Sequence, residues 1–327
     1  MAHFGRWSSI FLNEIYQLKW FWRVLFFFIL LVTTTNLLFS KLAAQLSAHA
    51  SELQRDINQL VIWAGLAAVA LFYTWLSLKI LDKRKFKSVG LAFHGEWKRE
   101  LLFGVLTGAV FALAVLFFLW IGGYVTIQAT TSAFSTAAVG TLISIGLWFC
   151  ASMFNELIFR GYVMQTMSEG LGNIAATIFT SICYGVFQGL SSQGTILPVI
   201  NTALFGFIFC IMYFRTRSLW MPLGLHFSYQ FIQSYMIGAP VSGIVTAFSL
   251  FKTVKGNPEW ITGGQYGLEG GGVATVLLLG LLYYVSQSKQ LRITETMRKI
   301  KYEALTTPFY LPKSQQPESS DGDRESD

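Results

Sequence analysis

The stretch from Leu101 to Tyr124 reads LLFGVLTGAVFALAVLFFLWIGGY, 24 residues without one charged side chain. At a rise of about 1.5 Å per residue, a helix of that length covers the roughly 30 Å hydrocarbon core of a bilayer. Working outward, apolar runs recur at 22–40, 60–81, 136–168, 174–190, 198–214, 219–237 and 271–288. The chain of 327 residues is 53% hydrophobic and 13% charged, against about 25% charged in a typical soluble domain. A soluble globular enzyme is excluded on these grounds. The expected fold class is all-α: a polytopic membrane protein of about eight transmembrane helices. Segment four is long, and Gly170-Leu171-Gly172-Asn173 supplies the stop and restart between it and segment five.

Charge gives the orientation. Lys83, Arg84, Lys85, Lys87, Lys98 and Arg99 follow segment two, Arg215 and Arg217 follow segment six, and Lys289, Arg292, Arg298, Lys299 and Lys301 follow segment eight. The opposite loops are poorer in Lys and Arg, so the positive-inside rule puts these loops and both termini in the cytoplasm. The formal net charge of +7 includes five acidic residues and one arginine in 318–327. Topology accounts for the basic excess of the body, and no nucleic-acid partner is implied. The last twenty residues, with Pro308, Pro312 and Pro317 among Ser, Asp and Glu, cannot bury a core and should be disordered. Four parts result: an amino-terminal arm with two membrane helices (1–85), a membrane core (86–288), a cytoplasmic basic segment (289–307) and an acidic tail (308–327). The first apolar run is too long for a signal-peptide core and ends well before the Ala48-His49-Ala50 tripeptide, so it is expected to stay as an anchor. Cys150, Cys183 and Cys210 lie within apolar runs and suit small core residues better than a disulfide or zinc framework.

Ionisable residues inside membrane segments are costly and are functional candidates for that reason. Segment four carries Glu156 and Arg160, segment seven His226; Asn155, Gln188 and Gln230 are amides at comparable depth. Glu156 and Arg160 are four residues apart, as are His226 and Gln230, and Tyr184 and Gln188, so each helix shows a polar pair on one face. A polar cavity between segments four, five and seven, open to the cytoplasm, is expected. Each residue also has a structural reading: Glu156 with Arg160 as a buried ion pair, His226 in an interhelical hydrogen bond. Gly104 and Gly108 mark close helix packing. Trp20, Trp22, Trp97 and Trp220 suit interfacial anchors, residues 79–99 a helix on the membrane surface, and His3, His49 and His94 exposed positions.

Asn155-Glu156-Leu157-Ile158-Phe159-Arg160-Gly161 resembles the E-E-x-x-F-R-G signature of the CAAX protease and bacteriocin-processing (CPBP, or Abi) family of intramembrane endopeptidases. The stretch from Ser218 to Gln230 is similar to the family segment ending in H-x-x-x-N, and Tyr184 to Gln188 stands where the family has F-x-x-x-H. Glu259 to Gly271 looks like a segment common in bacterial members, so the resemblance covers roughly residues 86–285 and suggests the bacterial inner membrane.

The resemblance implies a metal-independent glutamic endopeptidase. Its first glutamate and a histidine activate water, and the final His and Asn stabilise the oxyanion. Here the first Glu is Asn155, the F-x-x-x-H histidine is Gln188 and the final Asn is Gln230. An amide side chain is no general base, so both water activators are gone; Gln230 can still donate a hydrogen bond. One expectation is therefore a degenerate site, a pseudoprotease that binds membrane-associated peptides or proteins, lipidated ones included. The alternative is an active, atypical endopeptidase with Glu156 and His226 as catalytic groups and Asn155, Arg160, Tyr184, Gln188 and Gln230 as cavity positions. A transporter is the third reading. No cofactor is expected, and a catalytic zinc, which takes three protein ligands, would find at most His226 and Glu156.

Overall fold

The computed structural model describes residues 11–13, 17–47, 51–130, 134–189, 195–289 and 291–306. The acidic tail, His3 and His49 lie outside the described residues. Helices α1 (Trp20–Ser47) and α2 (Glu52–Ser77) form a first pair, and α2 runs on into a π-helical turn, Leu78–Asp82. A short 3-10 turn, Phe86–Val89, leads to α3 (Trp97–Ile121). Next come β1 (Val125–Ala129), α4 (Phe134–Glu156), a π-helical segment (Leu157–Val163), α5 (Met164–Gly189) and α6 (Ile196–Thr216). The chain closes with α7 (Trp220–Phe231), a π turn (Ile232–Met236), β2 (Phe251–Lys255), a helical turn (Glu259–Thr262), α8 (Gly272–Gln287) and α9 (Glu295–Thr306).

Five helical stretches are long and apolar enough to cross a membrane: Trp20–Ser40, Glu52–Asp82, Trp97–Ile121, Ala137–Gly189 and Ile196–Thr216. The fourth has 53 residues, about 80 Å of helix, and Gly172 divides it with φ of +79°. That break falls in the Gly-rich punctuation read from the sequence. All eight apolar segments are thus helical, and the protein is an all-α membrane protein. The first three spans are mainly apolar on the outside, with Leu102, Leu106, Val110, Leu113 and Phe117 of α3 exposed along one side, as lipid requires.

The closest packing joins α3 to α7. A Cβ on Gly104 would strike the Met221 carbonyl, one on Gly108 the Leu225 carbonyl, and one on Gly224 the Leu101 carbonyl. Three missing side chains let two backbones touch. At one end of the bundle β1 and β2 pair antiparallel, Val125 opposite Lys255 and Ala129 opposite Phe251. This two-stranded ribbon was not anticipated; it ties together loops that carry little apolar periodicity. Asp56 holds the same end, accepting from the backbone N–H groups of Ala247 and Phe248 at 2.9–3.1 Å. At the other end Arg23 ion-pairs with Asp82 and Glu169, and Arg84 reaches Glu169 at 3.3 Å, so α1, α2 and α5 are locked by charge.

Residues 79–99 do not form a surface helix. Lys83 (φ +51°) and Gly90 (φ +110°) adopt left-handed conformations, which stop helix growth and leave two short turns instead. The amphipathic surface element is α9, which packs against the 86–89 turn. Trp220 is also no lipid-facing anchor. It is buried, donates Nε1–H to the Ala92 carbonyl at 3.0 Å and stacks with Phe93 and Trp97, leaving Phe93 as the outward ring. Under this lid His94 is buried rather than exposed: its Nε2 lies 3.1 Å from the Glu100 carboxylate, which needs a partner once α3 buries it.

Candidate functional site

Glu156 ends α4 and Arg160 sits one turn on, inside the π-helical segment. Arg160 Nη1 donates to Glu156 Oε1 at 3.2 Å, so the four-residue spacing survives the widened turn. From α7, His226 brings Nδ1 to within 2.8 Å of the same oxygen, and its Nε2 lies 3.2 Å from the Tyr184 hydroxyl on α5. Gln188, half-buried one turn further along α5, lies beside that hydroxyl. Four helical elements thus converge on one chain of contacts: Gln188, Tyr184, His226, Glu156, Arg160.

The donors and acceptors fix the tautomer. An ionised Glu156 can only accept, so Nδ1 carries the proton, and Nε2 accepts from the tyrosine O–H. The imidazole is also held flat, stacked on Phe209 (4.9 Å, 17°) and Tyr229 (5.7 Å, 5°). The Arg160 guanidinium lies over the rings of Tyr184 and Phe209 at 4.4 and 4.7 Å, a desolvated cation–π seat. Glu156, Arg160, Tyr184 and His226 are each 0–1% exposed. The expected opening to the cytoplasm is therefore not seen among the described residues; aromatic rings from α5, α6 and α7 fill that space.

The amides fall in different places. Asn155 turns back on its own helix, Nδ2 donating to the Ala151 carbonyl at 2.9 Å, while its Oδ1 has no protein partner. Gln230 Oε1 accepts from Ser152 at 2.9 Å and lies a turn from His226. Ser152, Phe209 and Tyr229 were missed in the sequence; a serine one turn before Asn155 on the same face was the available signal. Missed too was Glu269, buried in the 238–271 loop and held by Gln233 and by the Ser242 N–H at 2.6 Å. Among the described residues no three His, Cys, Asp or Glu side chains converge as a metal site would need.

Residues 136–232, which contain Asn155, Glu156, Arg160, Tyr184, Gln188, His226 and Gln230, match the family model described as type II CAAX prenyl endopeptidase Rce1-like. The core is CAAX-endopeptidase-like. The chain is also 24% identical over 193 residues to a Bacillus subtilis (strain 168) protein named "Uncharacterized protein YyaK". That match takes in 57% of this chain and 64% of the relative, so the chain spans under two thirds of the length of the curated relative it matches. No solved structure matches the chain. The chain is a membrane protein similar over residues 136–232 to type II CAAX prenyl endopeptidases, and the 238–271 loop with Glu269 lies beyond the part that the family model covers.

Proposed function

We propose that this CAAX-endopeptidase homologue is a pseudoprotease: a membrane protein that binds membrane-associated peptides or proteins, lipidated carboxyl termini among them, without cutting them. One observation carries the reading. Both imidazole nitrogens of His226 are engaged, Nδ1 with Glu156 and Nε2 with Tyr184, and Arg160 holds the one carboxylate in contact with it among the described residues. A general base must reach the proton of an attacking water. With Asn155 bonded to its own helix and Gln188 an amide, the described residues offer no free base to a substrate. The grouping of the basic loops at the 79–99 end supports a bacterial inner-membrane location with both termini cytoplasmic.

A second reading has its own support. The 2.8 Å Glu156–His226 contact is the arrangement in which a carboxylate orients a catalytic imidazole, with Nε2 as base once Tyr184 moves aside. The two readings separate in one experiment. New peptide termini are compared by mass spectrometry in membranes expressing wild type, Glu156→Gln, and Asn155→Glu with Gln188→His. A pseudoprotease gives no wild-type cleavage, and the restored pair gains it. Wild-type cleavage that disappears in a folded Glu156→Gln protein would establish an active enzyme.

A further inference from the structure

From the Glu156–His226 contact a file of polar side chains runs between α4 and α7 toward the end of the bundle that carries the 238–271 loop. On α4 it comprises Asn155, Ser152, Trp148, Ser144 and Thr141, three or four residues apart and so on one face. Two contacts pin it to the facing chain: Ser152 with Gln230 at 2.9 Å, and Thr141 with the Tyr235 hydroxyl at 2.6 Å. Because 156 meets 226, 152 meets 230 and 141 meets 235, the two elements run antiparallel, and all three contacts lie along the same stretch of α4.

Four buried atoms along this face have no partner among the described residues: Ser144 Oγ, Trp148 Nε1, Asn155 Oδ1 and Glu156 Oε2. Leaving such a group unsatisfied costs about 1–3 kcal/mol, and more when it is charged. Serines and threonines in helices can avoid that cost by bonding the carbonyl four residues back, as Thr141 does with Ala137 at 2.8 Å, but Ser144 does not. The needs of the four differ in a telling way. Trp148 can only donate, Asn155 Oδ1 and Glu156 Oε2 can only accept, and Ser144 can do both. A ligand that accepts from one and donates to the next, and that fits between packed helices, is water.

We propose that this face holds a file of ordered water that connects Glu156 and His226 to the aqueous phase on the side of the 238–271 loop. The file is a blind inlet. Arg160 stands just beyond Glu156 as a fixed buried cation, and such a charge in a narrow polar path repels protons and other cations. The route leads away from the basic loops, opposite to the opening expected from the sequence. It is independent of whether the site cuts peptides, since it rests on α4 atoms that neither functional reading uses as a base.

X-ray hydroxyl-radical labelling of the full-length protein in lipid nanodiscs, followed by digestion and mass spectrometry, tests this directly. Radicals form from water where it lies, so a buried aromatic beside bound water is oxidised and a dry one is not. Trp148 is 1% exposed; Phe205, also 1% exposed, is packed among the rings of Phe111, Phe209 and Tyr229, which makes it the internal control. After correction for intrinsic reactivity, Trp148 is expected to label many-fold faster than Phe205. In Ser144→Val, which removes a polar member and fills its space, Trp148 labelling should fall several-fold. Trp148 labelling in the wild type at the rate of Phe205 would overturn the proposal, whether or not the variant folds. So would a folded Ser144→Val protein whose Trp148 labels as fast as in wild type.

Discussion

Replacing Arg160 by leucine isolates the charge balance at the centre of the bundle. Arg160 and Glu156 are each 1% exposed, so water cannot take over for a lost partner. Removing one member of a buried ion pair costs about 3–5 kcal/mol, because the remaining charge is stranded. Leucine keeps much of the apolar contact with Tyr184 and Phe209 but loses the cation above their rings, worth about 2 kcal/mol when desolvated. Glu156 keeps its hydrogen bond from His226, which limits the damage, so the net loss should stay near 3–5 kcal/mol. At roughly 2–4 °C per kcal/mol for domains of 150–250 residues, that is a fall on the order of 10 °C in melting temperature. Thermal unfolding in detergent can be followed with a thiol-reactive fluorophore, since Cys210 is buried and Cys150 and Cys183 are half-buried. Adding Glu156→Gln removes the stranded charge while the new amide oxygen still accepts from His226, and should recover more than half of the loss. If Arg160→Leu melts with the wild type, or the double variant melts no higher than the single one, the pair is not a structural clamp and the reasoning fails.

Gly104→Leu should destabilise the protein by about 2 kcal/mol or more, because its side chain must displace the α7 backbone at Met221; reduced yield of monodisperse protein on size exclusion would show it. Arg23→Met should lower the melting temperature more than Arg84→Met, since Asp82 is fully buried and Arg23 is its nearer partner. Burial pushes the Glu269 carboxyl up to about 7, against hydrogen bonds from Gln233 and the Ser242 N–H and the charge of Lys255. The folded state then binds the proton more tightly than the unfolded chain, so this contribution is present below the ordinary carboxyl range and is lost as pH rises toward 7. Melting temperature should therefore fall between about pH 5 and about pH 8, with a smaller fall in Glu269→Gln.

The spans were legible because length and apolarity alone set them, and the break at Gly172 was legible because a glycine can take a positive φ at little cost. Helical spacing also placed Glu156 with Arg160 and Tyr184 with Gln188. What spacing could not give was which rings would fill the gaps between helices. Phe209 and Tyr229 both stack near-parallel to His226, and among the described residues they cover what reads from the sequence as an open cavity. His94 was illegible for a related reason. It sits in a loop, and its partner Glu100 is six residues away, a separation at which two residues do not face each other on a helix. Glu269 gave no periodic signal at all, being one acidic residue in a glycine-rich run whose fold depends on Gln233 and Asn201 from distant helices.

The π-helical segment Leu157–Val163 has a bearing on how such a protein changes over generations. A widened turn of this kind absorbs roughly one residue more than an α-helical turn, and it sits between Glu156 and the residues Gln165, Thr166 and Glu169. Loss of a single codon there would let the helix tighten. Everything after Val163 would then turn by about 100° relative to Glu156, while the segments before it stayed in place. Glu169 would leave Arg23, Gln165 would leave the Val89 carbonyl, and a different set of side chains would face α6 and α7. One deletion could thus remodel half of the polar centre without altering any residue that contacts it, a route to diversification that point substitutions at Asn155 or Gln188 do not offer.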